Sequence, residues 1–195
     1  MRESEIKRKT NETDITLVLN LDGTGRNTIE TGIGFFNHML TLFSVHSLVD
    51  LTLRCCGDTD VDYHHSVEDT GIALGEAVKE ALGEKKGIRR YGFFLLPMDE
   101  ALVQVALDFS GRSMLSFNCP FPTEKIGSFD TELVAEFFSA FVRSAGITLH
   151  IDLVRGTNSH HIAEAVFKGF AHALRDAVEI DGRNSTAVPS SKGVL

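Results

Sequence analysis

The sequence predicts an α+β fold that is internally duplicated, a two-layer sandwich in each half, with the halves related by a pseudo-twofold axis. Each half is expected to be a small, mostly antiparallel sheet covered by two helices. The motif His-His-x-x-Glu occurs twice, 96 residues apart, as HHSVE from His64 and HHIAE from His160. Each copy begins a segment with apolar residues at helical spacing, and each follows the same predicted succession of helix, strand and loop.

In the first half, alternating and β-branched residues predict the strands DITLVLNL and NTIETG. A helix over FFNHMLTLFSVH and a strand over VDLTLRC follow. A second helix is predicted from His64 to about Leu82, because its apolar residues recur on one face. These apolar positions are Val67, Gly71, Leu74, Val78 and Leu82.

The second half repeats this order. Strands are predicted over FFLLP, ALVQVALDF and SMLSFN, then a helix over DTELVAEFFSAFV, a strand over ITLHIDLV and a helix from His160 to about Val178. The charged, glycine-punctuated segment GEKKGIRR predicts the boundary between a first repeat, 1–86, and a second repeat, 87–195, that carries the C-terminal tail. We expect the two repeats to form one compact catalytic unit.

Composition restricts the classes of partner. The 195 residues are 43% hydrophobic and 24% charged, which is typical of one globular domain or a tightly fused pair. A net charge of -8 with 19 basic residues argues against binding to nucleic acid or to an anionic membrane surface, since such binding depends on clustered Lys and Arg. Small molecules are therefore the expected partners.

The expected location is the cytoplasm. No apolar run approaches the roughly 20 residues that span a bilayer, and the polar start MRESEIKRKTNETD lacks the apolar region of a signal peptide. The three cysteines, two of them adjacent, match neither a disulfide framework nor a zinc module.

Helical geometry divides each motif between two metal ions. Residues four apart on a helix lie about 40° apart around its axis, whereas neighbours lie about 100° apart. His64 and Glu68 can therefore hold one ion, and His65 must serve a different one. The second motif repeats these roles with His160, Glu164 and His161. One such motif alone is more often a solvated helix start, but two copies favour metal binding.

The repeat also links the two earlier helices. Shifting His38 by 96 residues leads to Val134, and a two-residue gap places its counterpart at Glu136. Mixed nitrogen and oxygen ligands suit several first-row divalent metals, with oxygen favouring manganese. In the resulting scheme one ion is held by His160, Glu164, His65 and His38, and the other by His64, Glu68, His161 and Glu136.

Three histidines lie outside the motifs. His150 and His172 are interpreted as histidines without a catalytic function. His46 follows His38 by eight residues, and this spacing is compatible both with a place in the same cleft and with no function.

Several long segments resemble the imidazoleglycerol-phosphate dehydratase family: GIGFFNHM, HHSVED, RYGFFLLPMDEALVQVALDFSGR, HHIAEAVFKGFAHALR and the terminal PSSKGVL. The resemblance covers nearly the whole chain. It implies an enzyme of histidine biosynthesis that converts D-erythro-imidazoleglycerol phosphate to imidazole acetol phosphate by loss of water. It also implies two manganese ions per site, with other divalent metals possible, and a 24-subunit assembly with sites at subunit contacts. The repeat spacing itself is compatible with ligands meeting within one chain or between chains.

The resemblance also assigns roles to residues. Its metal ligands fall on His38, His64, His65, Glu68, His160, His161 and Glu164, and these with Glu12 form the implied catalytic set. Substrate contacts are implied for Glu12, His38, His46, His64, His65, Glu68, His160, Arg90, Arg112, Lys168, Ser190, Ser191 and Lys192, of which the last six match the family's phosphate-site motifs. Two positions depart from the family pattern. Many members have histidine where this chain has Glu136, and Tyr63 replaces an acidic residue before the first histidine pair.

The implied reaction explains the metals. The hydrogen to be removed is weakly acidic and hydroxide is a poor leaving group, but a substrate ring held as imidazolate between cations can expel the neighbouring hydroxyl. Proton transfer is implied for Glu12, which by its sequence context alone would be a turn residue. Two alternatives are a dimetal hydrolase and a non-catalytic metal-binding assembly. Against the first alternative, the chain has no HExxH motif. The second alternative leaves the arginines and the serine-lysine tail unexplained.

Overall fold

The structure is a computed structural model that describes residues 1–195, with ten strands and four helices. The first half contains β1 (Glu3–Lys9), β2 (Thr13–Asn20), β3 (Asn27–Glu30), α1 (Gly34–Ser47), β4 (Asp50–Gly57) and α2 (His64–Leu82). The second half contains β5 (Tyr91–Met98), β6 (Ala101–Asp108), β7 (Met114–Asn118), β8 (Lys125–Ile126), β9 (Phe129–Asp130), α3 (Glu132–Ala145), β10 (Thr148–Arg155) and α4 (Ser159–Val178). The predicted α+β class is confirmed.

The two large sheets have the same topology. The first has the strand order β1-β2-β4-β3 and the second has the order β5-β6-β10-β7. Each contains two antiparallel pairs and one parallel pair, which is β3 with β4 in the first half and β7 with β10 in the second. Parallel neighbours need a crossover connection, and α1 and α3 provide it. The two halves therefore match element by element, apart from the β8-β9 hairpin.

Three strands were not named in the sequence-based prediction. Strand β1 has the charged sequence ESEIKRK, in which only Ile6 is buried, so it carries no alternation of apolar residues. It lies at the edge of its sheet, where one face and one edge can remain polar. Strands β8 and β9 have two residues each and are too short to leave a periodic signal.

The helices lie between the sheets and pair across the halves. Helix α2 packs on β1 and β2 and against α3, while α4 packs on β5 and β6 and against α1. The α2–α3 contact needs glycine: a Cβ atom would lie 2.7 Å from the Phe137 carbonyl oxygen at Gly71 and 2.6 Å from that of Phe141 at Gly75. A single cluster of 51 buried hydrophobic residues runs through both halves.

This pairing brings each histidine motif to a helix of the other half. The motif of the first half begins α2, which packs on α3, and the motif of the second half begins α4, which packs on α1. His38 and Glu136 are both the fifth residue of their helices, α1 and α3. The pairing of helices thus determines which side chains can meet. None of the four helices is long and apolar enough to cross a membrane.

Candidate metal centre and substrate site

The two motif helices begin in the same way. The Asp62 carboxylate accepts a hydrogen bond from the His64 backbone N–H at 2.7 Å, and the Asn158 side chain accepts one from the His160 N–H at 2.9 Å. Such side chains satisfy the free N–H groups of a helix start. The two rings of each histidine pair lie 6.3 Å apart between centroids and are nearly perpendicular, at 88° and 87°. Neighbouring histidines therefore face different directions.

The first cluster combines α1 with the start of α4. Oε1 of Glu164 lies 3.1 Å from Nε2 of His38 and 2.9 Å from Nε2 of His160. The other carboxylate oxygen, Oε2, accepts a hydrogen bond from the Lys168 ammonium group. The Glu164 side chain is only 10% exposed, whereas both imidazoles are more accessible. One nearly buried carboxylate thus joins two imidazoles and an ammonium group.

Opposing effects act on the pKa of Glu164. Burial alone would raise this pKa, but hydrogen bonds from Lys168, His38 and His160 together lower it to about 2. The carboxyl group is therefore ionised at neutral pH, as a metal ligand must be.

The second cluster combines the start of α2 with α3. Nε2 of His64 lies 3.6 Å from Oε2 of Glu68, and Glu136 completes a group whose ligand atoms all lie within 4.8 Å of one another. Arg143 lies beside both carboxylates, with Nη2 at 2.9 Å from Glu68 Oε1 and 4.0 Å from Glu136 Oε1. Arg143 takes the place that Lys168 has in the first cluster, as a cation that neutralises carboxylates.

His65 lies outside both clusters. Its Nδ1 lies 3.0 Å from Oδ2 of Asp58, and its Nε2 lies 3.7 Å from Oε1 of Glu12. The hydrogen bond with Asp58 raises the pKa of His65. Glu12 was assigned by resemblance alone, and the structure shows that its carboxylate faces the ring of a predicted ligand.

His161 has an equivalent environment in the second half. Its Nδ1 lies 2.7 Å from Oε2 of Glu100, and its Nε2 lies 3.8 Å from Oδ2 of Asp99. The hydrogen bond with Glu100 raises the pKa of His161, and the hydrogen bond from His161, followed by that from the Asn158 N–H, lowers the pKa of Glu100 to about 2. In both halves, therefore, Nδ1 contacts one carboxylate of the same chain, and Nε2 lies 3.7 or 3.8 Å from a second one.

The two arginines expected to bind phosphate lie along the C-terminal tail. The Arg90 guanidinium donates to both carboxylate oxygens of Asp108, at 2.7 and 3.2 Å, and to the carbonyl oxygen of Pro189 at 2.9 Å. A Cβ atom at Gly111, next to Arg112, would lie 2.8 Å from the backbone C atom of Leu195. The tail thus runs from Arg90 to the neighbourhood of Arg112, and the intervening residues include Ser190, Ser191 and Lys192.

The structure does not bring the remaining predicted substrate residues together with these arginines. Lys168 lies at the first cluster, where it bonds to Glu164. His46 lies on α1 with its ring 5.3 Å from that of His172, which stacks on Phe94 at 4.3 Å between centroids. Burial is the main cause that lowers the pKa values of His46 and His172. His46 is thus part of an aromatic contact between α1, α4 and β5 and belongs to neither cluster.

A family model described as imidazoleglycerol-phosphate dehydratase matches residues 31–174, which include both histidine motifs. The chain belongs to the imidazoleglycerol-phosphate dehydratase family. Among curated relatives with that name, the protein of Cereibacter sphaeroides strain ATCC 17029 is 63% identical over the full length of both chains. That of Prochlorococcus marinus strain AS9601 is 59% identical over all of this chain and 97% of the relative.

Solved structures of imidazoleglycerol-phosphate dehydratases share the fold. The Staphylococcus aureus enzyme is 44% identical with a TM-score of 0.84, over 92% of this chain and 99% of that one. The Pyrococcus furiosus enzyme, solved in complex with (S)-C348, is 36% identical with a TM-score of 0.85, over 97% and 100%. The prediction of an enzyme of this family is confirmed.

Sequence reasoning missed three residues at the candidate site. Arg143 follows Glu136 by seven residues and so lies on the same face of α3, a spacing that could have drawn attention to it. Asp58 and Glu100 contact His65 and His161 from loops that precede α2 and α4 by different distances along the chain. No regular sequence spacing predicts the contact between a loop carboxylate and a histidine ring on a helix.

Proposed function

We propose that the chain catalyses the metal-dependent dehydration of D-erythro-imidazoleglycerol phosphate to imidazole acetol phosphate in histidine biosynthesis. The observation that carries this proposal is the pair of nitrogen and oxygen clusters, each of which combines residues of both halves, together with two further histidines outside the clusters. Family membership supports the substrate and the reaction class. The clusters support the dependence on metal.

The residues of both clusters fit divalent ions of the first transition row. His38, His160 and Glu164 would hold one ion, and the second set is His64, Glu68 and Glu136, with ligand atoms within 4.8 Å in each set. Imidazole with carboxylate is a donor set that manganese accepts, and other divalent metals share this preference. We propose two manganese ions per active site. When bound, they would supply Lewis-acid stabilisation of negative charge on the substrate's imidazole ring.

We further propose that copies of the chain complete each other's sites. Each cluster contains three of the four ligands in the predicted scheme, and the fourth, His65 or His161, belongs to neither cluster and has its ring nearly perpendicular to that of the neighbouring histidine. In the assembly, Nε2 of each of these rings would bind an ion that another copy holds. A 24-subunit assembly with sites at subunit contacts would satisfy all eight ligands, and activity would depend on that assembly.

Glu12 is suited to move protons. Its backbone N–H donates to Thr10 Oγ1 at 3.1 Å, and the neighbouring Thr13 hydroxyl bonds to Asp69 of α2, which also pairs with Arg8. This network holds the β1-β2 turn against the helix that carries His64 and His65. The Glu12 carboxylate itself is 52% exposed and therefore accessible to a substrate. We propose that it transfers a proton at the carbon or oxygen atoms that lose water.

Arg90, Arg112 and the tail would bind the phosphate group. Arg90 keeps a fixed orientation through its bidentate pairing with Asp108, and guanidinium groups bind phosphate oxygens in the same planar manner. Ser190, Ser191 and Lys192 follow Pro189, which already contacts Arg90, so the tail can close over a bound phosphate. Lys168 would contact substrate at the first cluster, next to Glu164.

A cytoplasmic location also forms part of the proposal. Cys55, Cys56 and Cys119 are all free, which fits a reducing compartment.

Turnover tests the proposal directly. The purified full-length chain is incubated with imidazoleglycerol phosphate, and the α-keto product is measured before metal removal, after chelation and after addition of manganese. We expect turnover that chelation abolishes and manganese restores. Release of inorganic phosphate would instead indicate a hydrolase, and an absence of turnover with manganese present would contradict the proposal.

A further inference from the structure

Two carboxylates that are not predicted metal ligands contact His65 and His161, the two histidines outside the clusters. Asp58 contacts Nδ1 of His65 with both oxygens, at 3.0 and 3.1 Å. Glu100 contacts Nδ1 of His161 with Oε2 only, at 2.7 Å. A carboxylate at neutral pH can only accept hydrogen bonds, so when either ring is neutral its proton resides on Nδ1 and its lone pair on Nε2.

Glu100 has a second task that distinguishes it from Asp58. Its other oxygen, Oε1, accepts hydrogen bonds from the backbone N–H groups of Thr157 at 3.2 Å and Asn158 at 2.8 Å. These are the residues that lead into α4, and Asn158 caps that helix. The Glu100 carboxylate therefore has a fixed orientation, because Oε1 is hydrogen-bonded to the backbone and Oε2 to His161.

We infer that Glu100 is a positioning residue that sets the tautomer of His161, so that Nε2 is the atom offered to a cation, and that Asp58 sets the tautomer of His65 under a looser constraint. This inference rests on the proposed function, because it assigns the ring nitrogen with which each histidine would bind metal. Partners of this type orient metal-binding imidazoles and raise their basicity, and their loss typically weakens metal binding 10–100-fold.

The different constraints lead to different outcomes for the same isosteric change. In Glu100→Gln the amide oxygen must stay on the two backbone N–H groups, because an amide NH₂ cannot accept their hydrogen bonds. The NH₂ group then faces Nδ1 of His161 and donates to it, so the ring proton must move to Nε2 and block metal binding. In Asp58→Asn no other partner fixes the amide, and its oxygen can still accept from Nδ1 of His65.

The test compares E100Q and D58N in the full chain, with D60N as matched control. Asp60 is an exposed carboxylate in the loop that contains Asp58. The first readout is the nitrogen NMR spectrum of ¹⁵N-histidine-labelled, metal-free protein at a pH where the rings are neutral, with His161 assigned from an H161A sample. The second is manganese binding followed by electron paramagnetic resonance.

We expect E100Q to convert His161 to the form protonated on Nε2 and to weaken manganese binding by about 10–100-fold at one of the two ions. D58N should keep the His65 tautomer and bind manganese within a few-fold of wild type, as should D60N. An unchanged His161 tautomer and unchanged binding in E100Q would overturn the inference. If the wild-type chain binds no manganese, the proposed function fails instead, and the tautomer measurement still decides the role of Glu100.

Discussion

Nε2 of His38, in the first half of the chain, lies 3.1 Å from the Glu164 carboxylate in the second half. The contact arises because α1 packs against α4, and the equivalent packing of α2 on α3 brings Glu136 to His64 and Glu68. Each cluster therefore takes two residues from a histidine motif and one from the helix of the opposite half. Both clusters therefore arise from the same kind of helix contact, which occurs twice because the α+β unit is duplicated.

Glu164 should be the most sensitive carboxylate of the first cluster. Substitution by Gln keeps the shape of the side chain but removes the negative charge, to which His38, His160 and Lys168 are hydrogen-bonded. We expect at least a 100-fold loss of manganese affinity at one of two ions, since even the partners of metal ligands contribute about 10–100-fold. Isothermal titration with manganese measures this. Glu80→Gln, at an exposed position of α2, serves as control, and equal binding by both variants would show that Glu164 is not a ligand.

Removal of the last six residues, 190–195, should raise the Michaelis constant while leaving turnover at saturation much less affected. Hydrogen bonds to charged groups contribute about 1.5–3 kcal/mol each, so the loss of Lys192 and the two serines should raise KM by more than about 10-fold. The truncation keeps Pro189 and its contact with Arg90. Steady-state kinetics of the truncated chain and of a Val194→Ala control provide the comparison. Unchanged KM after truncation would remove the tail from the phosphate site.

The α2–α3 contact should not tolerate a side chain at Gly75. A Cβ atom there would approach the Phe141 carbonyl oxygen to 2.6 Å, and overpacking of this kind costs typically 1–3 kcal/mol. We expect Gly75→Ala to reduce the free energy of unfolding by about 2 kcal/mol. Gly34, where a Cβ atom has no neighbour within 4 Å, provides the control as Gly34→Ala. Urea denaturation of both metal-free variants measures the difference, and equal stability would contradict the close approach of the two helices.

The ionised carboxylate of Asp50 should stabilise the fold at neutral pH and lose this effect in acid. Hydrogen bonds from the Arg26 side chain and the Thr24 backbone N–H lower its pKa from 3.8 to about 2. A carboxyl group with a lowered pKa stabilises the fold above its unfolded pKa, and this stabilisation disappears as the pH falls from about 4 to about 2. The shift corresponds to about 2 kcal/mol, but the Arg26 side chain is 82% exposed, so solvent screening reduces the expected value to about 1 kcal/mol.

Asp50→Asn should therefore lower stability by about 1 kcal/mol at pH 7, and the difference from wild type should vanish near pH 2. Thermal unfolding of the metal-free chain at several pH values measures this difference. A constant difference across that range would show that the ionised carboxylate is not its source.

The duplication and the three residues of each histidine and glutamate cluster could be predicted from local sequence patterns. The HHxxE motifs specify their own geometry, because a helix places the first histidine and the glutamate on one face. The equivalence of His38 and Glu136 followed from the repeat, and the structure gives them the same position in α1 and α3. Such patterns are short-range or periodic, so they can be recognised in a single sequence without knowledge of the fold.

The remaining features depend on contacts between distant segments. Strand β1 is held at a sheet edge by pairing with β2, although its own residues are mostly charged. Asp58 and Glu100 reach the rings of His65 and His161 from loops, and the contact depends on how each loop folds back on its helix. Arg143 pairs with Glu68 across 75 positions of the chain. Contacts of this kind leave no periodicity in the sequence.

We expect each active site to use residues of two copies of the chain. We expect one copy to supply His38, His160, Glu164 and His161, and another to supply His64, Glu68, Glu136 and His65. The H65A variant then loses a ligand only from the set that contains His65, and the H161A variant loses one only from the set that contains His161. A site that takes each set from the variant in which it is intact would contain all eight predicted ligands.

The most direct test is to mix these two inactive variants after metal removal, reassemble them with manganese and measure dehydration. With equal amounts and random assembly, about a quarter of the sites should be intact, so activity should return to about a quarter of wild type. Each variant reassembled alone should stay inactive. A mixture that assembles to full size yet remains inactive would contradict the shared site.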